Sequence, residues 1–500
     1  MPNQQGFLHP DTAMHNTFDA SRIQQQLHAQ FRKHFTAGIP ACSLFSLTLE
    51  CSGLHLRGLP PLPAPYLYWA RPDRDLQQLG LGEAWRTTAS GTQRFDTLSN
   101  ALRQLERNWR RVHQPGSPGP SPGVFCALAF ASDDPMTACW EGLPNSILFV
   151  PRLLLRSEAG KTSLTFSCAG NELQQAEAVL SNWSGLIKQL YQAISNSKKP
   201  HKEDSQQAVR VTPQTDTSWT ESVQRAIASI KSGQLDKVVT ARRVRLEASG
   251  SFQAAKILSR LARLYPSCLL LAIKLGDNTV VSATPERLAT LRNRSIRCDA
   301  LGGTADRSQD PGRDRKLALR LLNSRKARHE HALVVQSIQS ALEPLCHELA
   351  LPDTPVLVKL RNLQHLWTGI KGTLRTGVSL LDAARRLHPT PAVAGTPTDT
   401  ACQWLQDHEN LARGWYSGIV GWLQANGDGE LSVLLRCAVL QGRSAELFAG
   451  AGIVADSDPQ AELQETEIKL RAMLEAMQEA AGPTATPLTN SKAGQRVGHS

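Results

Sequence analysis

The chain has 500 residues, of which 41% are hydrophobic and 20% charged, and its formal net charge is +11. These proportions indicate an ordinary soluble globular chain, either two to four average domains or one large α/β unit with a smaller region. The basic residues are spread along the chain, with few aromatic residues among them and no zinc-finger spacing. We therefore expect anionic small molecules, and not nucleic acid, as partners.

The ten cysteines are scattered singly, and none forms a Cys-x-x-Cys pair. Such cysteines are typical of reduced core thiols in a cytosolic protein. The N-terminal residues lack the basic and apolar parts of a secretory signal, and no apolar run approaches the roughly 20 residues that a membrane helix needs. The sequence therefore predicts a cytoplasmic protein without a membrane segment.

The N-terminal region, residues 1–200, alternates short apolar runs with turns between about residues 41 and 170. These runs predict the strands of a mostly antiparallel sheet. They read ACSLFSLTL, PYLYWA, VFCALAFA and SILFVPRLLL. Helices are predicted over residues 21–35 and 172–194.

A polar segment without hydrophobic periodicity follows the N-terminal region. Residues 201–216 are therefore predicted to form a linker or a surface crossing. Beyond it, residues 217–480 form a second region that is denser in structural signals. The last segment, residues 481–500, is predicted to be a disordered tail.

The second region begins with a predicted helix, which Gly233 ends, and the strand LDKVVTARRVRL follows. Strand alternation places Lys237, Val239 and Ala241 on one side. A lysine on such a face either lies at a rim, where its amine reaches water, or is buried for a reason. Farther along, Glu286 follows a proline turn, a position that is usually at the surface.

The turn ALGGTADR at 300–307 precedes a helix that is predicted from Arg313 to about Leu345. Glu330 falls at the end of the apolar stripe of this helix, where a bare carboxylate is costly. Its partner is either a local cation such as Arg328 or a divalent metal ion. The sequence leaves both alternatives open.

Two later segments suggest contacts with a ligand. The turn HPTPAVAGTP at 388–397 has prolines and a glycine around Ala392 and Val393, which predicts a rigid loop that presents its backbone. Arg436 is predicted to lie inside an otherwise apolar strand. A buried arginine needs an anion, and a carboxylate fits its fork geometry.

The stretch FAGAGIVADSDPQAELQETEIKLRAML at 448–474 has two glycines at alternate positions, Gly450 and Gly452, which permit the close approach of a ligand or strand. Asp458 and Pro459 then predict a helix start. Residue offsets place Glu462, Glu465 and Lys469 on one face of that helix. This face is either part of a site or a solvated surface with a Glu465–Lys469 pair.

Seven of these segments together resemble the chorismate-utilising enzymes, and among them most closely the isochorismate synthases. The resemblance covers roughly residues 215–480. It rests on LDKVVTARR, SATPERL, KARHEH, HPTPAVAG, RGWYSGIVG, LLRCAV and FAGAGIVADSDPQAELQETEIK. It implies an α/β fold of the α+β type, as in anthranilate synthase component I, with two large antiparallel sheets packed face to face and helices outside. The active site would lie in a cleft between the sheets.

The resemblance also implies roles for individual residues. It implies Mg²⁺ held by Glu330 and Glu465 with Glu462 in support. It implies that chorismate becomes isochorismate as Lys237 acts as the base for water attack at C2 and Glu286 as the acid for loss of the C4 hydroxyl. The residues implied in substrate binding are Gly303, Thr304, His365, Ala392, Val393, Tyr416, Arg436, Gly450, Gly452 and Lys469.

Related activities are the alternatives to this assignment. Anthranilate and aminodeoxychorismate synthases attack with ammonia, usually pair with a glutaminase, and do not keep a lysine at the position of Lys237. Salicylate synthases share both implied catalytic residues but tend to carry a threonine in place of Ala392. A non-catalytic homologue that serves as a binding protein is a further alternative. The chain departs from the family at Gly302, because its turn reads ALGGT where PLAGT is usual.

The predicted protein is therefore a monomeric isochorismate synthase that needs no glutaminase subunit. Isochorismate feeds the synthesis of menaquinone, siderophores or salicylate, and the sequence does not distinguish among these pathways.

Overall fold

The structure is a computed structural model that describes residues 19–36, 42–51, 54, 56, 58–113, 123–197, 209–213, 216–359, 363–424 and 427–478. The predicted tail, 481–500, lies outside the described residues, as does the segment 201–208 of the predicted linker. No helix in the described ranges is both long and apolar enough to cross a membrane.

The described residues include ten α-helices. These are α1 (Ala20–Thr36), α2 (Arg94–Arg107), α3 (Ala176–Ser197), α4 (Asp216–Lys231), α5 (Ala254–Leu264), α6 (Pro311–Asn323), α7 (Arg325–Leu342), α8 (Leu380–Leu387), α9 (Thr398–His408) and α10 (Pro459–Gln478).

The strands before α4 are β1 (Leu44–Glu50), β2 (Tyr66–Arg71), β3 (Leu76–Leu81), β4 (Trp85–Ala89), β5 (Trp109–His113), β6 (Gly123–Leu128), β7 (Ser146–Val150), β8 (Leu153–Glu158), β9 (Lys161–Ala169) and β10 (Val209–Pro213). The strands after α4 are β11 (Lys237–Ala248), β12 (Leu269–Leu275), β13 (Asn278–Thr284), β14 (Arg287–Arg292), β15 (Ser295–Asp306), β16 (Cys346–Ala350), β17 (Val356–Lys359), β18 (Leu363–Leu374), β19 (Gly395–Thr396), β20 (Ile419–Gln424), β21 (Gly429–Val433), β22 (Cys437–Gln441) and β23 (Ser444–Ile453).

The strands form two sheets. The larger has 13 strands in the order β10-β11-β23-β22-β13-β12-β2-β3-β8-β9-β1-β5, with β19 paired to β11. The smaller has 10 strands in the order β16-β18-β15-β14-β21-β20-β6-β7-β4, with β17 paired to β18. Neighbouring strands are antiparallel except β1 and β5, which are parallel. Strands from before and after α4 therefore meet in both sheets, at β2–β12 and at β6–β20.

A hydrophobic core fills the space between the two sheets. Alternate residues of β2, including Leu67 and Trp69, face this core, where Trp69 lies edge-on to Phe125 of β6 with ring centroids 6.1 Å apart. The intervening residues Tyr66 and Tyr68 face the opposite side of the larger sheet. The two antiparallel sheets are thus packed face to face, which confirms the predicted fold class.

Helices cover the outer faces of the sheets. On the larger sheet, residues of α1, α3, α5 and α10 share one core with the strands, and α10 packs on β23 and α5. On the smaller sheet, α7 packs on β15 and β18, and α8 packs on α7 and β14. The helices that carry the predicted carboxylates are thus fixed to opposite sheets.

The helix predicted from Arg313 to about Leu345 is two helices, α6 and α7. Ser324 separates them, with extended backbone angles, and its side chain accepts a hydrogen bond from Ala327 N at 3.2 Å. A serine that caps a helix start competes with continuation of the preceding helix. The hydrophobic pattern runs through this break, which is why the sequence predicted one helix.

Three further predictions of local structure differ from the described chain. The predicted turn at 300–307 belongs largely to β15, which has a bulge between Gly302 and Thr304, with Gly303 at φ +67°. Arg436 lies just before β22 at φ 47° and not inside a strand. Residues 209–213 of the predicted linker form the edge strand β10, which pairs with β11.

Candidate active site

One cleft, with a volume of about 410 Å³, opens between the strand ends of the two sheets and the helices α6, α7 and α10. Every residue predicted for the site lines it. They are Lys237, Glu286, Gly303, Thr304, Glu330, His365, Ala392, Val393, Tyr416, Arg436, Gly450, Gly452, Glu462, Glu465 and Lys469. The structure brings them together, and their individual roles stay predictions.

Lys237 is the first residue of β11 and is partly buried. Its side chain runs along Gly452 of the neighbouring strand β23, where a methyl group would lie 2.7 Å from Cε and 3.2 Å from Nζ. Burial lowers the pKa of Lys237, and the carboxylate of Glu330 opposes this shift. A lowered pKa increases the fraction of neutral amine, which is the form that can accept a proton.

Glu286 lies between β13 of the larger sheet and β14 of the smaller sheet, at the point where the chain passes from one to the other. Its backbone is fixed on both sides, because its N–H donates to Thr284 Oγ1 at 3.3 Å and its carbonyl accepts from Val433 N at 3.0 Å. Burial raises the pKa of Glu286 to about 7, against the opposing charge of Lys469. The carboxyl can therefore hold a proton near neutral pH.

Arg436 is a cation in the cleft without a carboxylate ion pair among the described residues. Its φ of 47° is uncommon for a residue with a side chain. Burial lowers its pKa, and surrounding groups, of which Cys268 has the largest effect and Glu465 is a carboxylate, oppose this shift. An arginine held in this way is available for a ligand carboxylate.

His365, on β18, is a neutral residue of the cleft. Burial lowers the pKa of His365 to about 3, and the positive charges of Arg436 and Lys469 add to the shift. Its Nδ1 lies 3.1 Å from Thr304 Oγ1 on the neighbouring strand β15. A neutral imidazole contributes hydrogen bonds but no charge at physiological pH.

The charged face of α10 lines the cleft. Asp458 caps this helix as predicted, since its side chain accepts from Ala461 N at 2.8 Å. Lys469 Nζ lies 2.7 Å from Glu465 Oε1 and donates to Gly450 O at 2.8 Å. The predicted ion pair therefore exists, but its lysine is only 21% exposed and belongs to the cleft wall instead of a solvated surface.

Glu330, Glu462 and Glu465 supply carboxylates from the two helices α7 and α10. Glu330 is half-buried and forms neither an ion pair nor a hydrogen bond within the described ranges, although a local cation was one predicted partner. Glu462 accepts from Ser457 Oγ at 2.7 Å, and burial raises its pKa. No set of three or more His, Cys, Asp or Glu among the described residues is arranged to enclose a metal by itself. The all-oxygen donors suit a hard cation that keeps several waters and takes few protein ligands.

Gly302, where the turn of this chain departs from the usual family sequence, lies against helix α7. A methyl group at this position would lie 3.1 Å from Cα of His331 on α7, which is tighter than usual packing allows. Helix α7, which carries Glu330, therefore lies close to the bulge of β15. The glycine permits this approach of the helix to the cleft floor.

A buried ion pair behind the cleft was not predicted from the sequence. Arg413 donates to both carboxylate oxygens of Glu409, at 2.6 and 2.7 Å, and to the carbonyl oxygens of Val393 and Val239 at 2.9 and 2.6 Å. Glu409 also accepts from Ala241 N at 3.1 Å. The pair therefore ties β11 to the loop that carries Val393. Its one sequence signal is the four-residue spacing, which has no helical context here.

Several other lining residues were also missed, namely Val239, Leu317, Arg320, Ser324, Lys326, Ser417 and Phe448. Phe448 stacks on Tyr416 with ring centroids 5.3 Å apart and so fixes one aromatic wall. Arg320 lies on α6 and Lys326 on α7. Both are exposed basic residues of a helix, and nothing in the sequence distinguishes them from basic residues that are far from a cleft.

Comparison with known proteins gives concordant matches. The sequence profile of the chorismate binding enzyme family matches residues 55–478. The isochorismate synthase MenF of Bacillus subtilis is 31% identical over 416 residues, which cover 82% of this chain and 87% of the relative. The salicylate biosynthesis isochorismate synthase of Pseudomonas aeruginosa is 32% identical over 426 residues, covering 85% and 87%.

The fold matches a solved structure as well. The menaquinone-specific isochorismate synthase MenF from Escherichia coli superposes with a TM-score of 0.74 at 26% identity. The match covers 92% of this chain and 100% of that structure. The similarity therefore includes the strands before α4 as well as those after it.

Proposed function

The chain belongs to the chorismate binding enzyme family, and we propose that it is an isochorismate synthase that converts chorismate to isochorismate. The family membership confirms the resemblance found in the motifs, and the named relatives carry the same activity. One observation carries the mechanism: Lys237 and Glu286 line one cleft, and burial shifts their pKa values in opposite directions. Oppositely shifted pairs are the mark of acid–base assignments.

In the proposed reaction, the neutral amine of Lys237 takes a proton from water as the water oxygen bonds to C2 of the ring. The ring double bonds shift, the bond between C4 and its hydroxyl breaks, and Glu286 gives its proton to that hydroxyl, which leaves as water. One water is consumed and one is released, so the product is an isomer of the substrate. Both residues then exchange protons with solvent and regain their starting states.

The substrate carries two carboxylates, and the cleft offers separate cations for them. Arg436 supplies a guanidinium without a competing carboxylate pair in the described chain, and Lys469 supplies an ammonium held against Gly450 O. Tyr416, packed on Phe448, provides an aromatic wall for the ring. The neutral His365 adds a polar group that does not disturb this charge balance. These contacts would orient the ring between base and acid.

We propose that Glu330 and Glu465, with Glu462 in support, hold Mg²⁺. When bound, this ion supplies positive charge that neutralises a substrate carboxylate and orients it. The support is the carboxylate of Glu330, which has no ion pair within the described part of the chain, and the presence of all three side chains in the lining of the cleft. Glu465 keeps its ion pair with Lys469, so one carboxylate would serve both the cation site and the lysine.

Ala392 in the cleft wall favours release of isochorismate over further conversion to salicylate and pyruvate. Its methyl group offers no hydrogen bond, whereas a threonine hydroxyl could reposition the substrate or a water. Pyruvate elimination needs a proton moved from C2 to the enolpyruvyl group in an aligned conformation. The side chain of Ala392 provides neither a donor nor an acceptor for that alignment.

We further propose that the protein acts in the cytoplasm as a monomer without a glutaminase subunit. One chain by itself supplies every residue to which the proposal gives a role. A water nucleophile removes the need for an ammonia source.

The test is product analysis after incubation of chorismate with the protein and Mg²⁺. We expect isochorismate by chromatography and no pyruvate in a coupled lactate dehydrogenase assay. Pyruvate formed at the rate of chorismate loss would identify a salicylate synthase instead. Unchanged chorismate would leave the non-catalytic homologue as the better assignment.

A further inference from the structure

The charged side chains that line the cleft differ in exposure according to the sign of their charge. Its cations are Lys237, Arg320, Lys326, Arg436 and Lys469, and its carboxylates are Glu286, Glu330, Glu462 and Glu465. All four carboxylates are buried or half-buried, as are three of the cations. The two exposed charges, Arg320 and Lys326, are both positive. The interior therefore holds three cations against four carboxylates, while the mouth is cationic.

The two exposed cations stand on adjoining helices that form one side of the mouth. On α6 the lining residues Leu317, Arg320 and Leu321, followed by Ser324 just after the helix end, recur at offsets of three and four, so one helix face is turned to the cleft. On α7, Lys326 lies one turn before Glu330, which also lines the cleft. Neither Arg320 nor Lys326 forms an ion pair within the described ranges.

The surroundings of the two residues add positive charge. Between residues 313 and 328 the chain carries seven basic residues, Arg313, Arg315, Lys316, Arg320, Arg325, Lys326 and Arg328, and one acidic residue, Asp314. Asp314 is already paired, with Arg307 Nε at 2.7 Å and Lys359 Nζ at 2.9 Å. It therefore cannot cancel the charge of the mouth.

We propose that Arg320 and Lys326 form a cationic rim that attracts the dianionic substrate to the mouth of the cleft. This role rests on the proposed function, because chorismate carries two carboxylates. The interior charges, three cations against four carboxylates, sum to −1 and do not attract a dianion. The two exposed cations, which form no ion pair in the described chain, would raise the local concentration of a dianion at the mouth. Arg436 and Lys469 then hold the carboxylates inside. Arg320 and Lys326 are thus capture residues, distinct from the groups that contact the reacting atoms.

The experiment compares two double variants with the same change in net charge. Arg320→Gln/Lys326→Gln removes the rim, and Arg315→Gln/Arg328→Gln is the matched control. Arg315 precedes Leu317 by two residues, about 200° around α6, and Arg328 is offset similarly from Lys326 on α7, so both point away from the cleft. The measurement is kcat/KM for chorismate between ionic strengths of about 0.01 and 0.15 M, where the Debye length falls from about 30 to about 8 Å.

We expect the rim variant to lose kcat/KM on the order of ten-fold at low ionic strength, through KM and not kcat. Its value should approach that of the wild type as salt screens the rim. The control should lose less kcat/KM than the rim variant at low ionic strength, because its two charges lie on helix faces that point away from the cleft. Equal salt dependence in the wild type and both variants would overturn the rim, because the charges would then act no differently from any other surface charge.

This outcome is separable from failure of the proposed function. If the wild-type protein forms no isochorismate, the proposed function is wrong. The rim is then tested by calorimetric titration with chorismate at the same two ionic strengths. Loss of affinity in the rim variant alone supports the rim, and equal affinities in all three proteins overturn it.

Discussion

Lys237 lies directly over Gly452, so that a methyl group on the glycine would come within 2.7 Å of Cε of the lysine. The two residues belong to the neighbouring antiparallel strands β11 and β23, and both line the cleft. The missing side chain at Gly452 therefore makes the space in which the lysine amine is held. The position of the proposed base depends on a residue that has no functional group of its own.

Replacement of Gly452 by alanine should displace the Lys237 amine. Because a shift of about 1 Å in a reacting group can cost on the order of 10²-fold, we expect a loss of kcat of that order. Circular dichroism should report an intact fold. Gly185→Ala in α3 is the control, since a methyl group there meets no atom within 4 Å. A Gly452→Ala enzyme with wild-type kcat would show that the lysine position is not critical.

Replacement of either proposed acid–base residue should lower kcat strongly. We expect Lys237→Ala and Glu286→Gln each to lower kcat by about 10²-fold or more, the scale for a positioned acid or base. Added methylamine should partly restore the Lys237→Ala enzyme, because a small amine can occupy the vacated space. Lys231→Ala, at the exposed end of α4, is the control. Near-normal turnover in a variant would remove that residue from its role.

The raised pKa of Glu286 also predicts a stability change with pH. Its pKa is about 7 in the folded protein and 4.5 ordinarily, so folding favours the protonated carboxyl. That contribution is complete below about pH 4.5 and is lost as the pH rises through 7. Glu286→Gln cannot ionise, so its Tm relative to the wild type should increase between pH 5 and pH 8. A constant difference in Tm across this range would contradict a raised pKa.

Removal of Mg²⁺ should abolish turnover, and its return should restore it. Mg²⁺ should also raise the Tm of the wild type, since an ion that binds only the folded state stabilises that state. Glu465→Gln should lose both responses, yet stay folded through the buried Leu463 and Leu470. Glu467→Gln, exposed on the same helix, should keep both. Full activity in metal-free buffer would exclude the proposed metal.

The Arg413–Glu409 pair should show strong energetic coupling. Both side chains are buried, with 3% and 6% exposed. Arg413→Ala leaves the Glu409 carboxylate without its cation, so we expect a loss of about 3–5 kcal/mol in the free energy of unfolding. The double variant Arg413→Ala/Glu409→Ala should cost less than the sum of the single changes. Denaturant titration of the four proteins measures this coupling, and additive losses would argue against it.

Local signals in the sequence were sufficient for part of this architecture. The start of α10 was predicted from Asp458 and Pro459, because capping depends on residues that are close in the chain. The fold class came from the motifs and is confirmed by the two face-to-face sheets. The break at Ser324 was missed, since a serine cap is a weak signal within a continuous apolar pattern.

Contacts between segments that are distant in the chain could not be predicted from local sequence signals. The strand order of the larger sheet and the bulge at Gly303 depend on partners far away in sequence. The same holds for Arg413, whose carbonyl partners are on β11 and on the loop at Val393. The motif resemblance predicted site residues that all line one cleft. The helix faces that form the rim of the cleft contain no such motif and were not predicted.

The strand order has a consequence for how the protein is made. Among the described strands, the strand of Lys237, β11, connects to the central part of the larger sheet through β23, and β23 connects to β13 through β22. Both of these bridging strands lie between residues 437 and 453. A nascent chain on the ribosome therefore cannot close the cleft until nearly all of it has been translated. Truncated products of synthesis would lack the arrangement of Lys237 opposite Gly452, so turnover begins only with the nearly complete polypeptide.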